Sequence, residues 1–263
     1  MNKLSLHQPI ASRPSWVLLG TEPWRAVGEY VSHRMQRALN EPAGGGDGHP
    51  VIVIPGLASD GNSVAPLVAH CRAMGFVAMD WGRGFNTGPG QDIDSWLQAL
   101  AAELCENLRG AVNADGKPVA PTLIGWSLGG IYAREIAKLP GMRVRQVITI
   151  GTPFNGHVEQ THAGWLYKLL NGKSPALQQA EQQRLKRPPP VPTTSIYSRS
   201  DGVVAWQACR HDEQGIRVQD VEVEGSHLGM AWNPAVLRVV ADRLMQPQRG
   251  WRRYRHETLH ASG

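Results

Sequence analysis

Cysteine is scarce in this chain, three in 263 residues, and Cys71, Cys105 and Cys209 lie far apart with no C-x-x-C pair. That pattern argues against a disulfide framework and a structural zinc site, and it fits a reducing compartment, so the cytoplasm is the expected location. Long apolar runs are missing too. No stretch approaches the ~20 residues that span a bilayer. Trp16 to Leu19 is too short to be the core of a secretory signal, so neither an anchor nor a leader is expected. A Gly-Lys-Ser/Thr triplet is also absent. The glycine-rich loop from Gly82 to Gly90 matches no phosphate-binding fingerprint, which argues against a nucleotide site. No internal repeat is visible, and neither metal nor cofactor is expected.

What remains is ordinary for a soluble globule, 41% hydrophobic and 19% charged, at a length that suits one domain. The formal charge of +5 is uneven. Arg249, Arg252, Arg253 and Arg255 crowd a segment with Trp251 and Tyr254. We expect a basic, solvated tail over 247–263, with no nucleic-acid partner and no indicated membrane contact. Upstream, strand-like runs alternate with helical ones. The strands cover 49–54, 75–81, 118–124, 144–150, 193–198 and 218–224. The helices cover 63–74, 93–108, 128–139 and 233–244. That alternation predicts an α/β fold with a mainly parallel sheet flanked by helices. Residues 1–48 read as a helical extension. Within it Val17, Leu18, Trp24, Val27, Tyr30 and Val31 suggest one interrupted helix, and a glycine-rich connector follows.

Gly125-Trp126-Ser127-Leu128-Gly129 is the most telling stretch. A buried strand precedes it and an amphipathic helix ending at Pro140-Gly141 follows it. A G-x-S-x-G motif needs this strand, sharp turn and helix to hold a strained, exposed serine. A serine hydroxyl is a poor nucleophile at neutral pH, so Ser127 requires a base and a group that orients the base. Both are expected later in the chain, acid first. Asp201 follows the strand over 193–198, and His227 follows the strand over 218–224. The competitors are weaker. His211 and Asp212 lie in a polar run that reads as a solvated loop. His157 and His162 fall in an insertion, His70 on a helix, and His256 and His260 in the tail. Asp80 precedes the serine. For the oxyanion we expect one donor in the Leu128 backbone N–H at a helix start. The second donor is expected from Leu57 N–H, in the loop after the first strand.

Val51-Ile52-Val53-Ile54-Pro55-Gly56-Leu57, the Gly125 to Gly130 run, Gly151-Thr152-Pro153-Phe154-Asn155-Gly156, Ser200 to Val204 and Gly225-Ser226-His227 together resemble the α/β-hydrolase superfamily. The likeness is strongest to its bacterial lipase and esterase branch and covers about residues 49–246. It implies Ser127 as nucleophile, Asp201 as acid, His227 as base, and Leu57 and Leu128 as oxyanion donors. Two departures are visible. No strand hairpin precedes residue 49, so the first two strands of a full sheet are expected to be absent. Trp126 is bulkier than the residue many true lipases carry beside the nucleophile.

The core is thus expected over 49–156 and 191–246, with an insertion over 157–190. That insertion is far longer than the ~2–6 residues typical of such connections. Trp165, Leu166, Leu169 and Leu170 give it an apolar stripe that suits a helical cap over the site. The expected activity is cleavage of carboxylic esters with an apolar acyl group, bound by Trp126, Trp165, Leu166 and Leu169. A thioesterase or acyltransferase on the same fold, or a non-catalytic binder of apolar ligands, are the alternatives. Oligomeric state is not legible.

Overall fold

The computed structural model describes residues 13–39, 44–89, 92–112, 116, 119–155, 175–212, 215–247 and 249–255. Six strands form one sheet: β1 (Pro50–Ile54), β2 (Val77–Asp80), β3 (Thr122–Trp126), β4 (Gln146–Ile150), β5 (Thr193–Tyr197) and β6 (Val218–Glu222). Their order is β2-β1-β3-β4-β5-β6, and every neighbouring pair is parallel. β1, β3, β4 and β5 are buried along their whole length. Helices cover both faces, so β1 reads as a continuous apolar run rather than an alternating one.

The helices are α1 (Trp16–Leu39), α2 (Gly61–Ala73), α3 (Ile93–Asn107), α4 (Leu128–Ile136), α5 (Pro175–Lys186) and α6 (Pro234–Leu244). Side-chain caps fix several starts. Asp60 accepts from the N–H groups of Asn62 and Ser63, and Asn233 accepts from those of Ala235 and Val236. α2 and α6 pack on one sheet face, through residues such as Leu67, Cys71, Val236 and Val240. α3 and α4 pack on the other, through Leu97, Leu100, Leu104, Ile131 and Ile136.

The chain leaves β1 toward β2 on one side and returns to β3 on the other. That reversal opens a crevice at the carboxyl ends of β1 and β3, where open parallel sheets bind ligands.

α1 runs unbroken through Pro23, not interrupted as the sequence suggested. Its apolar residues also face the wrong way for a core helix. Val17, Trp24, Val27, Val31 and Met35 are exposed, while Glu22, Ala26 and His33 are buried. The polar stripe faces inward because it meets backbone N–H groups of the site loops, which need acceptors.

Candidate active site

The crevice is built around the turn from β3 into α4. Ser127 sits there with φ 53° and ψ −121°, a left-handed conformation unusual for a side-chain-bearing residue. Such strain costs on the order of 1–3 kcal/mol and persists only when its surroundings impose it. The flanking glycines are part of that imposition. A Cβ on Gly125 would lie 2.3 Å from the Gly129 carbonyl oxygen, and one on Gly129 would lie 2.2 Å from that of Ile54. The turn therefore closes only with glycine on both sides of the serine. Ser127 N–H donates to the Ile150 carbonyl at 2.8 Å, which ties the turn to the end of β4.

Asp201 and His227 arrive from the loops after β5 and β6. Ser198 Oγ joins the two loops, accepting from Ser200 N–H at 3.1 Å and Gly225 N–H at 3.2 Å. Asp201 is buried, and its Oδ1 accepts from Val203 and Val204 N–H at 2.8 and 2.7 Å. Its Oδ2 is 2.7 Å from His227 Nδ1, and His227 Nε2 is 3.1 Å from Ser127 Oγ. With a carboxylate at Nδ1 the neutral ring carries its proton there, leaving Nε2 to accept from the serine hydroxyl. Burial alone would depress the His227 pKa. The charge of Asp201 and its hydrogen bond, with the charge of Glu22, more than reverse this and hold it above the ordinary 6.5.

On the opposite side of the serine runs the loop after β1. A Cβ on Gly56 would stand 3.2 Å from Ser127 Cβ, so the Gly56-Leu57 backbone passes against the serine. Leu128 opens α4 at the same place, with its N–H at the positive end of the helix. Asn86 holds this loop. It is fully buried, donates Nδ2–H to the Pro55 carbonyl at 3.0 Å, and exchanges backbone bonds with Ala58 and Ser59 at 2.8 Å each. The glycine-rich loop that carries Asn86 thus clamps the β1 loop.

Several expectations need correction. Trp126 does not line an open acyl pocket. It is buried with Ile124 and Ile150 in the core, and its Nε1–H donates to the His227 carbonyl at 3.2 Å. Its ring centroid lies 5.9 Å from that of His227, so it packs behind the base. His211 is not in a solvated loop. It is buried between Asp220, 2.7 Å from its Nδ1, and Arg134, 2.9 Å from its Nε2. Asp212 is exposed and accepts from Asn155 Nδ2–H at 2.7 Å. The arginines of 249–255 are exposed, as expected of the basic tail, but its backbone is tied to the core. Gln219 bonds both the N–H and the carbonyl of Tyr254, and Arg243 Nη1–H donates to the Arg252 carbonyl at 2.6 Å. Trp165, Leu166, Leu169, Leu170, His157, His162, His256 and His260 lie outside the described residues.

Sequence reasoning missed α1 altogether as part of the site. Glu22 Oε1 accepts from Gly202 and His227 N–H at 2.7 and 3.0 Å, and Oε2 from Leu228 N–H at 3.0 Å. Arg25 Nη2–H donates to the Ser200 carbonyl at 2.6 Å, and Glu29 Oε1 accepts from Ser226 N–H at 2.6 Å. The available signal was the pairing of Glu22 and Glu29, seven residues apart and so on one face of a helix otherwise rich in apolar side chains. Among the described residues no group of three His, Cys, Asp or Glu is placed to hold a metal. None of their helices is long and apolar enough to cross a membrane.

A comparison with curated proteins gave no match. Solved structures similar to this one include the Pyrococcus furiosus esterase Pf2001, at 15% identity over 74% of this chain and 82% of that one, with a TM-score of 0.54. A chain from the metagenome-derived lipolytic enzymes LipS and LipT gives 15% identity, 76% and 95% coverage, and a TM-score of 0.55. The pyrethroid hydrolase of Sphingobium faniae JZ-2 gives 16%, 76%, 98% and 0.52. At such identities the likeness is one of fold. Residues 51–261 match the alpha/beta hydrolase family over most of the sequence, and the chain belongs to that family.

Proposed function

We propose that the protein is a serine hydrolase acting on carboxylic esters with an apolar acyl group. The observation that carries this reading is the row formed by Ser127 Oγ, His227 Nε2 and Nδ1, and Asp201 Oδ2, with contacts of 3.1 and 2.7 Å. Ser127 Oγ attacks the ester carbonyl carbon while His227 Nε2 takes its proton, and Asp201 stabilises the resulting imidazolium. The carbonyl oxygen becomes an oxyanion facing the N–H groups of Leu128 and Leu57. As the tetrahedral intermediate collapses, His227 returns the proton to the departing alkoxide and an acyl-serine remains. Water, deprotonated by the same imidazole, then releases the acid and restores Ser127. The fold neighbours include an esterase and lipolytic enzymes, which supports an ester substrate.

We assign the apolar acyl preference to the insertion over 157–190 as a cap, on the strength of Trp165, Leu166 and Leu169. The segment departs from Asn155, just past the end of β4 and beside the serine turn. We further propose the cytoplasm as its compartment, on its three free cysteines.

The test is a fluorophosphonate probe with a p-nitrophenyl ester series from acetate to palmitate, and acyl-CoA thioesters alongside. The expected result is labelling of Ser127 and a burst of p-nitrophenol with kcat/KM rising about fourfold per added methylene until the pocket fills. Faster acylation by thioesters would reassign the substrate, and no labelling would remove the hydrolase reading.

A further inference from the structure

We propose that Glu22, on the N-terminal helix α1, is a positioning residue of the active site, one that locks the acid and base loops in register. This rests on the Ser127–His227–Asp201 reading and adds to it a carboxylate supplied from well upstream of the hydrolase core.

Glu22 is 1% exposed, and its two oxygens take three backbone N–H groups. Those donors belong to Gly202, next to the acid, and to His227 and Leu228 in the base loop. One side chain therefore spans both loops, and a rotation of either loop would leave a buried N–H without an acceptor. The surrounding contacts make α1 a strut rather than a surface decoration. A Cβ on Gly202 would lie 2.5 Å from the Leu18 carbonyl carbon, and Trp232 Nε1–H donates to the Ala26 carbonyl at 3.0 Å. Arg25 and Glu29 anchor the same loops at Ser200 and Ser226.

Glu22 also acts electrostatically. The charged groups facing His227 are Asp201 from the β5 loop and Glu22 from α1, and both favour the imidazolium. Arg25 Nη1 stands 3.7 Å from Glu22 and opposes it. Glu29 lies farther along α1, on Ser226. Ser127 contributes a neutral hydroxyl. The imidazolium that forms in the transition state thus meets two carboxylates, one on its ring and one behind its backbone. Preorganised charge of this kind lowers barriers without reorganisation at the moment of reaction.

The deciding experiment compares wild type, Glu22→Gln and Glu22→Asp as purified full chains. It reads thermal unfolding, kcat and KM for a short p-nitrophenyl ester, and the pH profile of kcat/KM. In Glu22→Gln, kcat should fall on the order of tenfold to a hundredfold with KM nearly unchanged, because geometry rather than binding is lost. Its acid limb should move to lower pH, since an attractive charge has left His227. Glu22→Asp keeps the charge and should keep the limb while regaining part of the rate. A folded Glu22→Gln with wild-type kcat and limb overturns the proposal. So does a rate loss with the limb unmoved, which is what lost packing alone would give. If Glu22→Gln does not fold, Arg25→Met supplies the opposite sign. Unshielding Glu22 should move the limb to higher pH, and an unmoved limb overturns the proposal. Should wild type prove inactive, the ester-hydrolase reading fails on its own. The His227 imidazole titration, followed by nitrogen-15 NMR in wild type and Glu22→Gln, still decides whether Glu22 acts on the histidine.

Discussion

Arg134 on α4 donates from Nη1 to His211 Nε2 at 2.9 Å, with both side chains buried. The contact fixes His211 as a neutral imidazole, since Nε2 can accept only without a proton and Nδ1–H then serves Asp220. Burial is the largest cause of its lowered pKa, and the Arg134 charge adds to it. Its second terminal nitrogen, Nη2, donates to the carbonyls of Leu185, Lys186 and Arg187 at 3.1 to 3.3 Å, closing the end of α5. His211 therefore belongs to a strut between the serine helix and α5. His211→Ala would leave the guanidinium short of an acceptor. Unfolding measurements should show a loss of about 1–3 kcal/mol, with far less loss of kcat than His227→Ala causes.

The same contact sets a pH dependence of stability. His211 has a folded pKa below its unfolded value of 6.5, so the unfolded chain binds the proton more readily. Its contribution is present at neutral pH and is lost as pH falls through about 6.5 toward the folded pKa. His211→Gln cannot take up that proton. Between about pH 7 and 5 its unfolding temperature should fall less than that of wild type; equal slopes would count against the strut.

The site residues should rank by what each one does. Ser127→Ala is expected to fold and to lose on the order of 10⁴–10⁶ in kcat. His227→Ala should match it, because without a base the hydroxyl is not activated. Asp201→Asn should lose less, since an amide oxygen can still hold part of the ring's orientation. Steady-state kinetics on one short ester give the order, and a mild His227→Ala would remove His227 as the base.

Ser127 also carries a stability cost that substitution can expose. At φ 53° glycine is at ease and alanine is not. The strain of about 1–3 kcal/mol outweighs the roughly 0.5–1 kcal/mol of extra chain entropy that glycine loses on folding. Calorimetry should find Ser127→Gly unfolding at a higher temperature than Ser127→Ala. The reverse order would mean the turn is relaxed.

Hydrolysis should favour the alkaline side. His227 must be neutral to accept the serine proton, and its pKa is held above 6.5. The acid limb of kcat/KM should therefore lie above the ordinary histidine value, and Asp201→Asn should move it down by removing the larger favourable charge. A limb below 6.5 in wild type would contradict the charge balance around the ring.

Local chemistry was enough for much of this protein. Continuous branched runs such as Val51 to Ile54 determine buried parallel strands, because only a sheet covered on both faces hides every side chain. The two glycines around Ser127 determine a turn that no larger residue could close. Chain order and position after a strand singled out Asp201 and His227. What the sequence could not determine was which polar residue becomes buried. Nothing in the sequence marks Glu22, Asn86 or Arg134 as buried, since such side chains are usually solvated. Only the assembled structure places loop N–H groups, a loop carbonyl and a helix end where each needs a partner. The apolar side of α1 misled in the opposite sense, because periodicity reports that a helix has two faces and not which one turns inward. That choice was made by hydrogen bonds to residues nearly two hundred positions away, a distance over which sequence pattern carries no information.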